Sequence, residues 1–207
     1  MNSIPGNFDR LNLFYSPRCT PSGSPIIEAY HGAIPDRLVP FRYRNPLKTD
    51  AIHFFLDDFR FECVWNRPTH YAQWYAGNTV LSPDFSINYD YNINVQRWNH
   101  YRSQWLGAYF QSQNVIVIPT VCWSTSETFD FCFDGIEKGG VVAIGSHGIH
   151  QVENIINFSE GVNAMVKAIH PSTILCAGKF NNKYIGSLDK IEVIEYSNDF
   201  KSHTYVR

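Results

Sequence analysis

Two adjacent carboxylates, Asp57 and Asp58, follow an apolar run of strand length, residues 52–56, and a run rich in aromatics resumes directly after them. Acidic side chains at the exit of a strand are suited to general acid–base chemistry or to binding a hard divalent cation. Successive residues at a strand end point in opposite directions. We therefore expect one of the two carboxylates to face a pocket and the other to have a structural role.

Similar apolar runs at 79–84, 115–120, 141–147 and 173–179 also end in small or polar residues. We predict catalytic roles for Asp57, Asp84 and His147, which are also the candidate ligands of a divalent cation. Trp123 is suited to stacking on a flat ligand, and Lys179 to neutralising an anion. The remaining predicted ligand-binding residues, to which Trp123 and Lys179 also belong, are Asp58, Ser82, Ser86, Thr120, Ser124 and Ser146.

Each of these residues also has a structural interpretation. The acids could cap loops or pair with Arg60 or Arg102, and His147 could occupy a turn between two glycines. Residues 145–148, Gly-Ser-His-Gly, are not followed directly by a helix, so they lack the geometry of a P-loop. The chain has no G-x-S-x-G sequence, so we do not predict a serine nucleophile.

The predicted strands begin near residues 52, 79, 115, 141, 173 and 191, about 20 to 35 residues apart, which is typical of βα units with parallel strands. Apolar residues at helical spacing predict helices over 94–113 and 157–170. Six strands are too few for a closed eight-stranded barrel. We expect a partial (β/α) barrel or an open doubly wound sheet, and in both folds the loops after the strands line the site.

The composition predicts one α/β domain, residues 51–207, preceded by an irregular arm, residues 1–50, packed on it. Hydrophobic residues make up 44% of the chain and charged residues 17%, which is typical of a folded core. Most of the 11 prolines fall in the arm, where they disfavour long helices and central strands.

The net charge of -2 gives no global field that would attract nucleic acid, although the arm carries Arg37, Arg42, Arg44 and Lys48. The five cysteines form no C-x-x-C pair and are interpreted as buried thiols in a reducing compartment. The start of the chain has no signal-peptide pattern, and the sequence has no apolar run long enough to span a bilayer. We expect a cytoplasmic protein that does not associate with membranes.

Six sequence blocks resemble an uncharacterised domain of unknown function found in bacteriophage and mobile-element proteins. The resemblance is closest over residues 50 to 150, and the blocks are FFLDDFRFECVW, SPDFS, WNHYRSQWLGAYFQ, VIPTVCW, CFDGI and VVAIGSHG. It implies a phage or mobile-element origin and an accessory role in the cytoplasm of the infected host. It implies no activity, substrate or catalytic residue.

Three functions remain open at this point. The first, which we favour, is an enzyme that acts on a phosphate-bearing or nucleotide-like small molecule at the carboxyl ends of the strands, with or without a divalent cation. The second is a non-catalytic phage protein that binds or sequesters a host protein or a signalling molecule. The third is a nucleic-acid-binding protein of mobile-element replication, which the acidic balance makes the weakest of the three.

Overall fold

The computed structural model describes residues 17–146 and 151–196 of the chain. The first two strands and the last two are joined by loops without a helix, and helices or 3-10 turns separate the others. The strands are β1 (Arg37–Pro40), β2 (Asp50–His53), β3 (Thr79–Leu81), β4 (Ile116–Ile118), β5 (Val141–Gly145), β6 (Thr173–Ala177) and β7 (Glu192–Tyr196). The helices are α1 (Glu62–Asn66), α2 (Pro68–Trp74), α3 (Ile93–Ser112) and α4 (Val152–Ile169), with 3-10 turns at Asp58–Arg60 and Ser126–Thr128. The predicted mixed α/β class is confirmed.

Every strand pairing in the two sheets is parallel, as the sequence predicts, and the strand order follows the chain. One sheet has the order β1-β2-β3-β4 and the other the order β5-β6-β7. The exit of β4 reaches β5 through a parallel bridge between Thr120 and Ala143, where the amide of Val121 donates to the Ala143 carbonyl at 2.8 Å. The two sheets are therefore neighbours in space as well as in sequence.

The described residues hold seven strands rather than the six that the sequence predicts. The additional strand, β1, lies in the proline-rich arm and pairs with β2 from Arg37 opposite Asp50 to Pro40 opposite His53. A proline is tolerated there because β1 is an edge strand, where one missing amide hydrogen removes no essential ladder bond. The proline content of this segment is therefore the reason that the short strand β1 is not predicted from the sequence.

All seven strands contribute to one small apolar cluster between the two sheets. Its members include Leu38, Ala51, Leu81, Ile118, Ala143, Leu175 and Ile194, in strand order. The hydroxyl of Tyr196, at the end of β7, donates to the carbonyl of Pro35, just before β1, at 2.7 Å. The last strand thus contacts the segment that leads into the first.

Helix α3 matches the predicted helix to within one residue at each end. Its N-cap is Asn92, whose side-chain oxygen accepts a hydrogen bond from the amide of Asn94 at 2.9 Å. The second half of α3 packs on the first sheet with Trp105 and Leu106 fully buried. The helical spacing of the apolar residues also predicts that Val95 and Trp98 lie on this packed face, and that prediction is wrong, because both are 45% exposed.

The part of α3 that precedes Trp105 instead buries polar side chains. These are Gln96, Asn99, His100, Arg102, Ser103 and Gln104. Buried polar groups need hydrogen-bond partners, and several of these residues find them in the loop that follows β3. The C-terminal part of α3 therefore packs on the first sheet, and its N-terminal part binds the loop that follows β3.

Helix α4 begins five residues before the predicted start and ends at Ile169, followed by the C-cap residue His170 in a left-handed conformation before Pro171. Its buried side chains, among them Phe158, Val162 and Met165, pack on the second sheet. Both sheets are thus covered by helices, as parallel sheets generally are. Among the helices of the described residues, none is long and apolar enough to cross a membrane.

Candidate functional site

A cavity of about 370 Å³ lies at the carboxyl ends of β3, β4 and β5. Its polar lining comes from the loops after β3 and β4 and from the first turns of α4: Asp84, Ser86, Asn88, Ser124, Asn154 and Asn157. Its apolar and aromatic lining includes Ile87, Tyr89, Cys122, Trp123 and Phe158. The position agrees with the general rule that ligands of parallel α/β proteins bind where strand-exit loops meet.

Asp84 is the acidic residue of this lining. Its Oδ1 is buried and has no hydrogen-bond partner within the described part of the chain. Burial raises the pKa of Asp84 to about 7, with a smaller contribution from the negative charge of Asp58, while a hydrogen bond with Cys122 opposes the shift. At neutral pH this carboxyl group is therefore divided between its protonated and its ionised form.

Cys122 lies beside Asp84 and is a neutral thiol. Burial raises its pKa well above the ordinary value, and the charge of Asp84 adds to the effect, whereas a hydrogen bond from the amide of Ile87 opposes it. A thiol with a raised pKa is a poor nucleophile, because the thiolate is the reactive form. The interpretation of Cys122 as an inert thiol fits this environment, and the side chain contributes a hydrogen bond to Asp84.

Asp58 lies behind the cavity wall and fixes the loop after β3. One of its oxygens accepts a hydrogen bond from the hydroxyl of Ser86 at 2.8 Å, and the amide of Ser86 donates to both oxygens at 3.2 Å. Asp58 itself does not belong to the lining. It therefore positions Ser86 and places a negative charge near Asp84.

The buried polar face of α3 holds the same loop from the other side. The side-chain amide of Asn99 donates from Nδ2 to the carbonyl of Ser86 at 2.7 Å and accepts at Oδ1 from Arg102 at 2.7 Å. Arg102 also donates to both carboxylate oxygens of Glu62 at 2.9 Å. The Arg102 guanidinium also lies 3.8 Å from the centre of the Phe85 ring. Charge-assisted bonds in a partly buried network are strong and directional, so this wall of the cavity is held rigidly.

Trp123 forms the opposite wall together with α4. Its indole nitrogen donates to the carbonyl of Asn157 at 3.3 Å, and its ring centre lies 5.9 Å from that of Phe158. The close approach requires a glycine at 161, because a methyl group there would overlap the indole ring. Trp123 therefore packs against α4 while it also lines the cavity.

Four of the residues predicted from the sequence line this one cavity: Asp84, Ser86, Trp123 and Ser124. Asp57 is not among them. Its side chain is 67% exposed and pairs with Arg60 at 3.2 Å. β2 ends at His53, earlier than the predicted run 52–56, so the strand alternation does not reach the two acids. Asp58 begins a 3-10 turn and is the carboxylate that binds Ser86 of the lining. His147 lies outside the described residues, and its catalytic role, like that of Asp57, stays a prediction.

The other predicted residues lie away from the cavity. Ser82 and Thr120 bind each other: the amide of Thr120 donates to the Ser82 hydroxyl at 2.8 Å, and the Thr120 hydroxyl donates to the Ser82 carbonyl at 2.7 Å. Ser146 donates to the carbonyl of Ala177 at 3.3 Å, and Lys179 is exposed after β6. In this arrangement Ser82 and Thr120 clamp the ends of β3 and β4 together.

Metal binding at the site stays a prediction. Over residues 17–146 and 151–196, no cluster of three or more His, Cys, Asp or Glu side chains could hold a metal ion. The predicted set combined Asp57, Asp84 and His147, and Asp57 points away from the cavity that Asp84 lines.

The sequence profile of a domain of unknown function, DUF4417, matches residues 25–197. The chain belongs to the DUF4417 family. It is 41% identical to the Gene 1 protein of Mycobacterium phage D29 over 210 residues, an alignment that covers 93% of this chain and 73% of that protein. It is 39% identical to the Gene 1 protein of Mycobacterium phage L5 over 209 residues, covering 93% of this chain and 86% of that protein. No solved structure matches the chain.

These relatives confirm the resemblance to an uncharacterised phage family, and they assign no chemistry to the DUF4417 cavity. Three lining amides, Asn88, Asn154 and Asn157, were missed by the sequence reasoning, as was Tyr89. Asn154 and Asn157 lie in the first turns of the helix that follows β5. Polar residues are common at the start of a helix, so their type does not show whether they line a pocket or face solvent. Their spacing of three residues, on one helix face, is the signal that was available.

Proposed function

We propose that this DUF4417 protein is a phage-type accessory enzyme that acts on a small molecule bound at the carboxyl ends of β3, β4 and β5. The observation that supports this most directly is Asp84, a carboxyl group in the wall of a cavity with a buried oxygen that has no partner among the described residues. An unsatisfied buried acceptor is costly, and a ligand that donates a hydrogen bond to it would remove that cost.

Asp84 is the proton carrier of the proposed site. General acids and bases work best when their pKa lies near the working pH, and the pKa of Asp84 is about 7. In its protonated form Asp84 donates a hydrogen bond or a proton to a ligand acceptor, and in its ionised form it accepts one. Asp58 acts through its charge and through Ser86, so we assign it a positioning role.

The substrate class that we propose is a phosphate-bearing or nucleotide-like small molecule. The cavity, at about 370 Å³, falls at the lower end of the range of small-molecule sites. Polar groups on several sides and an aromatic wall are the usual composition of such sites. Action in the cytoplasm of an infected host belongs to the same proposal.

We also propose that the two sheets form a partial (β/α) barrel rather than an open doubly wound sheet. The strand order follows the chain without the reversal that marks a doubly wound sheet. The apolar cluster fed by all seven strands and the hydrogen bond from Tyr196 to Pro35 support the same arrangement. In such a fold the cavity lies at the end of the strands where barrel enzymes place their active sites.

Native mass spectrometry of the purified full chain, before and after denaturation, tests the proposed site. We expect the wild type and Asp57→Asn to release the same small molecule or metal ion, and Asp84→Asn to release none. Asn keeps the shape of Asp and removes its titration, and the melting temperature of each variant checks that the fold is intact. A ligand retained equally by all three proteins would contradict the role of Asp84.

The second candidate, a non-catalytic protein that sequesters a signalling molecule or a host protein, is favoured by exposed aromatic side chains near the cavity. Tyr89 is 68% exposed in the lining, and Phe59, next to Asp58, is 77% exposed. Incubation with the released ligand separates the two functions. An enzyme converts the ligand to a product of different mass, and a sequestering protein returns it unchanged.

A nucleic-acid-binding role has the least support. Of the basic residues in the arm, Arg37 forms an ion pair with buried Asp50 at 2.7 Å, and Lys48 donates to the carbonyl of Gly77 at 2.6 Å. Arg42 lies over the ring of Phe41 and donates to the sulfur of Cys63. Cations held in this way are less available to neutralise phosphates.

A further inference from the structure

We infer that the cavity recognises the base of a nucleoside-like ligand, through its hydrogen-bonding edge and its flat face, and does not bind the phosphate. This inference rests on the proposed function and identifies the part of the ligand that the site recognises. It is supported by three independent properties of the described lining: its charge, its donors and acceptors, and its aromatic walls.

The charge of the lining disfavours a phosphate. The described lining contains no Lys, Arg or His, and its acidic residue is Asp84. Phosphate sites in proteins rely on cationic side chains or on clusters of backbone amides. The cation predicted for this role, Lys179, is exposed after β6 and lies outside the lining. A phosphate placed beside Asp84 would be repelled by the ionised carboxylate.

The donors and acceptors of the lining match a base edge. An amide side chain offers a carbonyl acceptor next to an amino donor, and a protonated carboxyl group offers a hydroxyl donor next to a carbonyl acceptor. Asn154, Asn157 and Asp84 bring three such mixed groups to one cavity. Nucleobase edges present the complementary arrangement, with donors and acceptors side by side. The unpartnered Oδ1 of Asp84 is the acceptor that such an edge would complete.

The aromatic walls suit a flat group. Trp123 is held in place by Phe158 and by the carbonyl of Asn157, so its ring is oriented before a ligand binds. Tyr89 lines the cavity and remains largely exposed. Bases stack on such side chains irrespective of their identity, and the hydrogen bonds then discriminate among them.

Isothermal titration at pH 7 tests the inference with defined probes: adenosine, guanosine, cytidine and uridine, their 5′-monophosphates, ribose 5-phosphate and inorganic phosphate. We expect at least one nucleoside to bind. The dissociation constant of its 5′-monophosphate should be within about threefold of that of the nucleoside, because the described lining has no cation that would bind the phosphate. Ribose 5-phosphate and inorganic phosphate should not bind.

Variants assign the binding to the cavity. Asn157→Ala should weaken the nucleoside about tenfold, the effect expected for the loss of one or two hydrogen bonds. Asn94→Ala is the matched control, because Asn94 is an exposed asparagine on α3 outside the lining. Its nucleoside affinity should equal that of the wild type. Equal losses in the two variants would overturn the assignment to this cavity.

The outcomes separate this inference from the proposed function. Asp84-dependent binding of ribose 5-phosphate or inorganic phosphate would overturn the inference and leave the small-molecule site in place. The same holds if no probe binds while the protein releases an Asp84-dependent ligand of another class on denaturation. If no probe binds and no Asp84-dependent ligand is released, both the inference and the proposed function fail.

Discussion

Two cavities in this protein differ in the hydrogen bonding and the pKa of the aspartate that lines each of them. The strand-exit cavity leaves Asp84 with an unpartnered oxygen, and its pKa is raised to about 7. A second cavity of about 450 Å³ lies beside the segment that leads into β5, and its lining includes Arg18, Thr20, Asp134, Gly135, Glu137 and Lys138. There, burial works against the charge of Asp134, but hydrogen bonds from Ser22, Thr20 and Ser24 hold its pKa below the ordinary value.

The comparison shows that cavity size does not mark the functional site. The second cavity is of comparable size, but its carboxylate is satisfied by the protein and has a structural role. In the strand-exit cavity the protein leaves a buried acceptor open. A group kept in such a state at a cost to stability is a stronger indicator of function than volume.

The two aspartates should give opposite pH dependences of stability. The folded-state pKa of Asp84 is raised, so the native protein binds more protons than the unfolded chain between about pH 4 and pH 7. The free energy of unfolding therefore falls as the pH rises through that range. Asp84→Asn removes this loss. The variant should be more stable than the wild type at pH 8, by up to about 4 kcal/mol, and similar to it near pH 4. Urea unfolding at pH 4.5, 6 and 8 measures the difference.

Asp134→Asn is the matched control for that experiment. The pKa of Asp134 is lowered, so its contribution to stability is present above the ordinary pKa and is lost as the pH falls through the folded-state value. The variant should be less stable than the wild type at pH 6 and pH 8, by about 1 kcal/mol. If both variants lose stability at pH 8, the proposed difference between the two cavities does not exist.

Filling the space of Gly161 should damage the strand-exit cavity. A methyl group at this position would overlap Trp123 and force the ring out of its place. Overpacking costs about 1–3 kcal/mol, partly offset by the better helix propensity of alanine. Urea unfolding should show a net loss for Gly161→Ala, and ligand binding should weaken. Gly186→Ala, where the nearest atom would lie at an ordinary 3.5 Å, should be close to wild type in both measurements.

Removing the charge of Asp58 should lower the pKa of Asp84, because that charge is one of the causes of its upward shift. In Asp58→Asn the fall in stability between pH 4 and pH 7 should therefore shift to lower pH. The variant should also lose about 1 kcal/mol, because Ser86 loses part of its hydrogen bonding. An unchanged pH midpoint in urea unfolding would show that Asp58 does not influence Asp84.

Asp57→Asn should have the smallest effect, although Asp57 is one of the predicted catalytic residues. The pair with Arg60 is exposed, and exposed ion pairs contribute no more than about 1 kcal/mol. The difference from wild type should disappear in 0.5 M salt, where such pairs are screened. A loss of activity or ligand in Asp57→Asn without a loss of stability would restore the catalytic prediction for this residue.

Much of the fold was predictable because buried parallel strands are short apolar runs at regular spacing. β2 to β7 begin within a few residues of their predicted starts, and α3 was placed to within one residue at each end. β1 was missed because prolines dominate its surroundings. The start of α4 was placed late because its first turns carry asparagines and an exposed valine rather than a clear apolar face.

The site was predictable only as far as strand exits define it. Asp84, Ser86, Trp123 and Ser124 were found because they follow apolar runs. The same rule selected Ser82 and Thr120, which bind each other, since a sequence does not reveal which polar groups satisfy one another. The choice between Asp57 and Asp58 depends on how the chain turns between the end of β2 at His53 and the 3-10 turn at Asp58. That change of direction has no signature in the residue types.

The bridge between Thr120 and Ala143 has a consequence for cooperativity. The cavity takes Asp84 and Trp123 from the side of the first sheet, and Gly145 and Asn157 from the side of the second. Within the described residues, the direct backbone pairing between the strands of the two sheets is confined to the segment around that bridge, and the stretch before β1 adds pairings of Ile27 and Tyr30 with the segment that leads into β5 and with the start of that strand. A bound ligand would join the halves, so that they open as one foldon in native-state hydrogen exchange, whereas the ligand-free protein opens as two.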